Sequence, residues 1–363
     1  MLRLFLMQRS GPGPLDLVFT RLVPLLAVLL LNGCSSAAYY GQLAEGQWQL
    51  LRARQPVDQV VANPATSAQL RARLEHAKQA RAFASQQLKL PDNLSYRVYA
   101  DLGRPYVVWN VFATPELSLQ PVTHCFPIAG CVAYRGYYQQ GAARGAAALM
   151  RQDGMDVYVG GVEAYSTLGW FDDPILSSMV GWSDERLATL IFHELAHQRF
   201  YVQDDTEFNE SFASFVEQEG TRQWRVARGL AASGGEQGQE REQFILLVVA
   251  SRERLQAIYA GPLDDVQKRA AKQAEFERLR REYRQVRDAQ WGGDKRYDAW
   301  MYGPMSNAKL LPFGLYDQWV PAFAAVFREV DGDWQRFYHR VEQLGRLPID
   351  ERKAALRRLM ASR

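Results

Sequence analysis

The sequence predicts an α+β fold, mainly helical, with a small β-sheet ahead of a helix that carries HELAH at residues 193–197. Three observations lead there. Apolar residues recur at three- and four-residue spacing over 41–88 and again from Ser183 to the C-terminus, the pattern of amphipathic helices. Between Tyr96 and Tyr165 the runs YRVYA, YVVWNVFA, CVAYRGYY and MDVYVGGVEAY are β-branched and aromatic and are set off by Pro and Gly, the pattern of short strands. The chain has 363 residues, 47% hydrophobic and 23% charged, a globular balance that excludes a disordered chain and a multi-pass membrane protein.

The amino terminus reads as a targeting segment. Arg3, Arg9 and Arg21 precede LVPLLAVLLLNGC, an apolar run of signal-peptide length and too short to span a bilayer. Residues 31–34, LNGC, resemble the bacterial lipobox. The resemblance implies removal of residues 1–33, diacylation of Cys34 and a lipid anchor at the cell envelope, on the periplasmic side of the outer membrane because Ser35 follows. An uncleaved signal anchor is the alternative. Most of the formal charge of +3 lies in this segment, so the remainder is near neutral and nucleic acid is not an expected partner.

From Gly41 to Leu88 two long helices are expected, one with Leu43, Trp48 and Leu51 as its stripe and one with Leu70, Leu74, Ala77 and Ala84, separated by Pro56 and Asn63-Pro64. The strand region is interrupted by the alanine-rich helix QGAARGAAALMRQ. Within it Cys125 and Cys131, in CFPIAGC, form an even pair; in an exported chain they read as a disulfide, with a reduced structural pair as the alternative. Asp172-Asp173-Pro174 reads as a turn and helix start. Ser183 is the N-cap of the next helix, with Asp184 and Glu185 in its first turn. ASGGEQGQE, residues 232–240, reads as a loop and FILLVVA as a buried helix segment. The helix QKRAAKQAEFERLRREYRQVRD then buries Phe276, Leu279, Tyr283 and Val286 on one seam beneath a solvated charged face.

The chemistry concentrates at HELAH. On a helix His193 and His197 stand one turn apart on one face, with room for a single tetrahedral ion between them. Glu194 projects beside them, where a carboxylate can take a proton from water and hand it to a leaving amine. TEFNESFASFVEQEG, residues 206–220, is a second helix with Glu210, Ser214 and Glu217 on one face and Phe208, Phe212 and Phe215 on another. The short linker VQDDT folds the two helices back on each other and sets Glu210 level with His197, as a third ligand.

Here the sequence resembles the gluzincin zinc peptidases, in which a glutamate of an NExxA element completes the HExxH site; this chain has Asn209-Glu210-Ser211-Phe212-Ala213. From the lipobox through AYSTLGWFDDP, HELAHQ, FNESFASFVE and SNAKLLPFGLYD, the chain looks like the bacterial aminopeptidase family of that clan. The resemblance implies a zincin-like fold, one zinc ion held by His193, His197 and Glu210, Glu194 as general base, and a peptide as substrate. It implies a single catalytic domain over 34–363, with a helical part at 34–94, the sheet part at 95–181 and a helical part with the zinc site at 182–363. Only twelve residues separate His197 from Glu210, fewer than in the best-known gluzincins, so Glu217 stays open as an alternative ligand or as a hydrogen-bond partner of a ligating histidine. Gly160-Gly161-Val162-Glu163 faintly resembles the strand with which gluzincin aminopeptidases grip a free amino group, which implies a substrate-binding role for Glu163; an exposed glutamate on an edge strand is the other reading. Tyr297, Tyr302 and Tyr316 are candidates for stabilising an oxyanion, whereas His76, His124 and His339 carry no functional signal. The expected activity is zinc-dependent removal of residues from the amino ends of peptides. A zinc endopeptidase of envelope proteins and a metal-bearing structural lipoprotein are the alternatives.

Overall fold

The computed structural model describes residues 37–126, 130–164, 166–167, 169, 171–232, 236–313 and 318–361. The targeting segment, Cys34 and Tyr316 lie outside the described residues. The chain falls into two compact units, Met1–Arg52 and Ala53–Arg363. In the first, residues 37–52 form helix α1. No helix among the described residues is long and apolar enough to cross a membrane.

The second unit is α+β, as the patterning predicts. It opens with β1 (Arg54–Pro56), α2 (Val57–Ala62) and α3 (Ala68–Gln86), so the second of the two long front helices is preceded by a strand and a short helix. Pro56 has the fixed φ of a proline and stands as the N-cap of α2, where its missing N–H costs nothing. Ser67 starts α3 by accepting from the Leu70 amide. The small sheet expected over 96–165 is instead three small sheets. β2 (Val98–Ala100) pairs antiparallel with β1 and parallel with β8 (Ile175–Leu176). β3 (Val108–Pro115) lies between β6 (Tyr134–Tyr137) and β7 (Met155–Val162), both antiparallel to it. β4 (His124–Phe126) and β5 (Gly130–Val132) form a hairpin in which Cys125 faces Cys131, and a disulfide joins them as expected. Strands as short as β1 and β8 are too brief to show alternation, so pattern alone misses them. α4 (Gln140–Gln152) is the alanine helix, and it packs on β7 and β3.

Helices then hold to the end. α5 (Asp184–Arg199) and α6 (Thr206–Ala227) form a helical hairpin; α7 (Glu236–Ala260) and α8 (Asp265–Gln290) form a second pair. The loop expected at 232–240 ends sooner, because α7 already begins at Glu236. In the second pair Phe244, Val248 and Leu255 meet Phe276, Leu279 and Tyr283, while Leu246 of FILLVVA faces outward. The charged helix is less solvated than its composition suggests. Lys272 and Glu275 are buried, Lys272 against Asp156 at 2.7 Å and Glu275 accepting from Ser251 at 2.9 Å. A charge is tolerated inside when it is paired.

α9 (Asp298–Tyr302), α10 (Asn307–Leu310), α11 (Val320–Glu329), α12 (Trp334–Gly345) and α13 (Ile349–Ala361) complete the unit. Phe208, Phe212 and Phe215 of α6 stack into an aromatic cluster with Phe323 of α11 and Phe337 and Tyr338 of α12. On the other side α6 closes through Gly220 on Leu88, just past α3, and on Phe192 of α5, which an added Cβ would meet at 2.7 and 3.2 Å. Asp205, the N-cap of α6, accepts from the Phe208 amide at 3.1 Å and from Arg352 of α13 at 2.8 Å, with both charged groups buried. Removing one partner of such a pair strands the other charge out of water. Arg352→Met is therefore expected to destabilise the fold by about 3–5 kcal/mol, read as a drop in the urea midpoint; a midpoint within error of the parent would show that the pair is solvated.

Candidate metal centre

α5 forms because its start is capped and its apolar stripe is continuous. Ser183 Oγ accepts from the Arg186 amide at 3.1 Å, Asp184 and Glu185 occupy the first turn, and Leu187, Ala188, Ile191, Phe192, Leu195 and Ala196 are buried. His193 and His197 project from the remaining face. After α5 the linker is fixed by Asn209, whose Nδ2 donates to the Val202 carbonyl at 2.7 Å and whose Oδ1 accepts from the Val202 amide at 2.8 Å. The asparagine of NExxA thus ties the linker to the first turn of α6. Its neighbour Glu210 is left facing the two histidines.

The three side chains converge. His193 Nε2 lies 3.1 Å from His197 Nε2, and Glu210 Oε2 lies 3.4 Å from the former and 3.7 Å from the latter. A tetrahedral ion with bonds of about 2.0–2.1 Å holds its ligands about 3.3–3.4 Å apart. The spacing fits one metal ion, and His193, His197 and Glu210 can hold it. Among the described residues no fourth His, Cys, Asp or Glu joins the group. Glu217 lies on the far side of the ring, 2.8 Å from His193 Nδ1. Of the two roles open to it, it has the position of the hydrogen-bond partner, where a carboxylate fixes the ring and its tautomer.

Burial alone would lower the His193 pKa, but the hydrogen bonds to Glu210 and Glu217 and the Glu194 charge outweigh it and raise the value well above the ordinary one. Burial pushes the Glu210 carboxyl up, while His193 and His197 bring it down to about 2. A buried set of two imidazoles and two carboxylates is built to surround positive charge.

Beyond the ligands, the last turn of α5 is held from upstream by Gln198. Its Oε1 accepts from Asn93 Nδ2 at 2.7 Å, and its Nε2 donates to Ser95 Oγ and Asp173 Oδ2, both at 3.3 Å. Asp173 is not the turn and helix start expected of Asp-Asp-Pro. It is buried and accepts from Ser166 Oγ at 3.1 Å, from the Thr167 amide at 3.0 Å and from Thr167 Oγ1 at 2.8 Å. Burial raises its carboxyl to about 6 despite these bonds, and Glu194 adds to the rise. Tyr96, buried beside it with φ +63°, donates its amide to the Asp173 carbonyl at 2.6 Å; burial first and then Glu194 hold its hydroxyl well above the usual range. None of this has a periodic signal in the sequence. Only the burial of a lone carboxylate reveals it.

Glu163 sits just past the end of β7, an edge strand of its sheet. Its Oε2 accepts from Arg186 Nη2 at 2.7 Å and from Trp182 Nε1 at 3.1 Å, which ties it to the beginning of α5. The neighbouring Gly161 admits the ring of Tyr106, which an added Cβ would meet at 2.6 Å. Of the tyrosines singled out, Tyr297 stacks flat on Phe244 at 4.0 Å and Tyr302 rests on Tyr283. Tyr201, which the sequence did not single out, is the tyrosine packed against the centre: its ring meets His197 edge-on at 6.3 Å, and burial and then Glu210 raise its pKa.

A family model described as "Putative aminopeptidase" matches residues 38–356, from α1 through the hairpin and into α13. The chain belongs to the putative aminopeptidase family. Membership in an aminopeptidase family points to peptide hydrolysis as its chemistry, in agreement with the sequence reading. No curated protein and no solved structure matches the chain. In this aminopeptidase-family protein, a metal bound at this centre would compete with protons for His193, whose pKa its carboxylate neighbours raise. Calorimetric titration with a divalent metal at pH 7, in buffers of different ionisation heat, is expected to report release of about one proton and weaker binding at pH 6 than at pH 8. Glu217→Gln is expected to weaken metal binding about 10–100-fold; unchanged affinity would remove Glu217 from the centre.

Proposed function

We propose that the protein is a lipid-anchored zinc exopeptidase of the gluzincin type, working at the cell envelope on the amino ends of peptides. The observation that carries this reading is the convergence of two imidazole nitrogens and one carboxylate oxygen, with Glu194 next to the first ligand. A catalytic zinc has three protein ligands and an open position, whereas a structural one is closed by a fourth. Zinc held there supplies Lewis acidity, which brings the pKa of water toward neutrality and polarises a carbonyl.

The remaining work falls to the chain itself. Glu194 takes the proton of the attacking water and passes it to the departing amine. Glu217 keeps His193 oriented through Nδ1, so that Nε2 faces the centre. β7 offers its outer edge to an extended peptide, and Glu163 at its end offers a carboxylate to the substrate ammonium. The lipobox at 31–34 supplies the anchor and the envelope location.

Glu194→Gln is expected to retain stoichiometric zinc and to lose about 10²–10⁴-fold in hydrolysis, whereas Glu210→Ala is expected to lose the zinc itself. Metal content and peptide turnover, measured on the form lacking residues 1–34, separate the two. Free peptides should be cleaved and their N-acetylated counterparts spared. Equal cleavage of both would leave an endopeptidase, and stoichiometric zinc without Glu210 would refute the ligand assignment.

A further inference from the structure

Helix α1 buries Tyr39, Gly46 and Leu50, which fall within about 40° of one another around its axis. Trp48 stands about 180° from Tyr39, at the pole of the opposite face, and is 58% exposed. No aromatic ring among the described residues is more exposed. The sector around it, about 100° wide, holds Ala37, Tyr40, Gly41, Ala44 and Leu51. None of these side chains is charged or carries an amide, although the outward face of an amphipathic helix is normally its polar one. At one edge of the sector Tyr40 is 47% exposed. Beyond the other edge Arg52 holds its guanidinium over the Trp48 ring at 5.3 Å and pairs with no carboxylate among the described residues. The polar side chains lie further round, where Gln49 donates to Glu45 at 3.1 Å.

What covers this face follows from the chain that precedes it. Residues 34–36 join the lipobox cysteine to α1, so the helix starts within about 11 Å of Cys34. A diacylated cysteine sits where acyl chains meet a headgroup layer about 5–7 Å thick, which keeps the first turn of α1 at the membrane surface. Trp and Tyr, apolar in body and polar at the tip, are enriched at that depth. A guanidinium there meets lipid phosphate, with which it forms paired hydrogen bonds. A tether alone would ask nothing of the helix beyond its first turn, yet Tyr40, Trp48 and Arg52 extend the same face over about 18 Å. We infer that α1 lies along the bilayer surface, with Tyr40 and Trp48 in the headgroup layer and Arg52 on lipid phosphate. This rests on the lipobox reading of residues 31–34.

The test uses the chain from residue 34 onward, coupled through Cys34 to a maleimide lipid in vesicles of phosphatidylethanolamine and phosphatidylglycerol. Cys34 is the one thiol available, because Cys125 and Cys131 are joined. The chain has nine tryptophans, so the Trp48 signal is the difference between the parent and Trp48→Phe. That difference is expected to be quenched when the acyl chains carry bromine near the headgroup, and Arg52→Gln to lower the ratio of docked to free helix about fivefold. An unquenched difference would overturn the inference. Shielding of Trp48 from iodide without vesicles would also overturn it, by giving the face to a second copy of the chain. A further measurement needs no variant: the parent emission is expected to move to shorter wavelength on tethering, and an unshifted spectrum would overturn the docking of Trp48. Mass analysis of the amino-terminal peptide from cells expressing the full chain separates the two readings. An unmodified Cys34 would overturn the lipobox and the inference with it, whereas a diacylated Cys34 with unquenched Trp48 would overturn the inference alone.

Discussion

The α5–α6 hairpin brings His193, His197 and Glu210 to one largely buried point. Two imidazole nitrogens 3.1 Å apart with a carboxylate oxygen at 3.4 and 3.7 Å form a set that favours positive charge between them. They cannot be brought together by one helix. The hairpin does it, and it keeps its register through Asn209 on the linker, Gly220 where α6 closes on Leu88 and Phe192, and the aromatic layer under Phe208 and Phe212. A shift of one residue in α6 would turn Glu210 by about 100° and remove it from the set.

The parts of the site that lie on helices were legible in the sequence. Spacing of four put His193 and His197 on one face, and hairpin geometry put Glu210 opposite, because helical periodicity converts sequence distance directly into direction. The same logic found α4, α5, α6 and α8. It could not find β1 or β8, which are three and two residues long, and it merged three small sheets into one. The disulfide between Cys125 and Cys131 was legible because an even pair, in a chain whose amino terminus reads as a targeting segment, has few other uses.

What was not legible are the contacts between loops. Gln198 follows the second histidine and reads like any polar helix residue, yet it joins Asn93, Ser95 and Asp173, which lie far upstream. Asp173 looked like punctuation before Pro174 and is a buried acceptor for Ser166 and Thr167. Its carboxyl, raised to about 6 by burial, favours the fold when protonated: that contribution is full below its ordinary value near 3.8 and is lost as pH rises through about 6. A carboxylate so placed weakens the fold at neutral pH while organising the end of α5. The protein carries strain of this kind beside its candidate base, Glu194, whose charge both Asp173 and Tyr96 sense.

The ion pair between Asp205 and Arg352 ties the start of α6 to the end of the chain. The N-cap of α6 and the arginine that neutralises it are 147 residues apart, and the arginine belongs to the last helix. His193, His197 and Glu210 all precede that helix in the chain, so the N-cap of α6 meets its counter-charge only when α13 has packed. The hairpin near the middle of the chain therefore depends on a residue close to its end. A chain cut short by α13 would carry His193, His197 and Glu210 and still lack the ion pair that holds the start of α6.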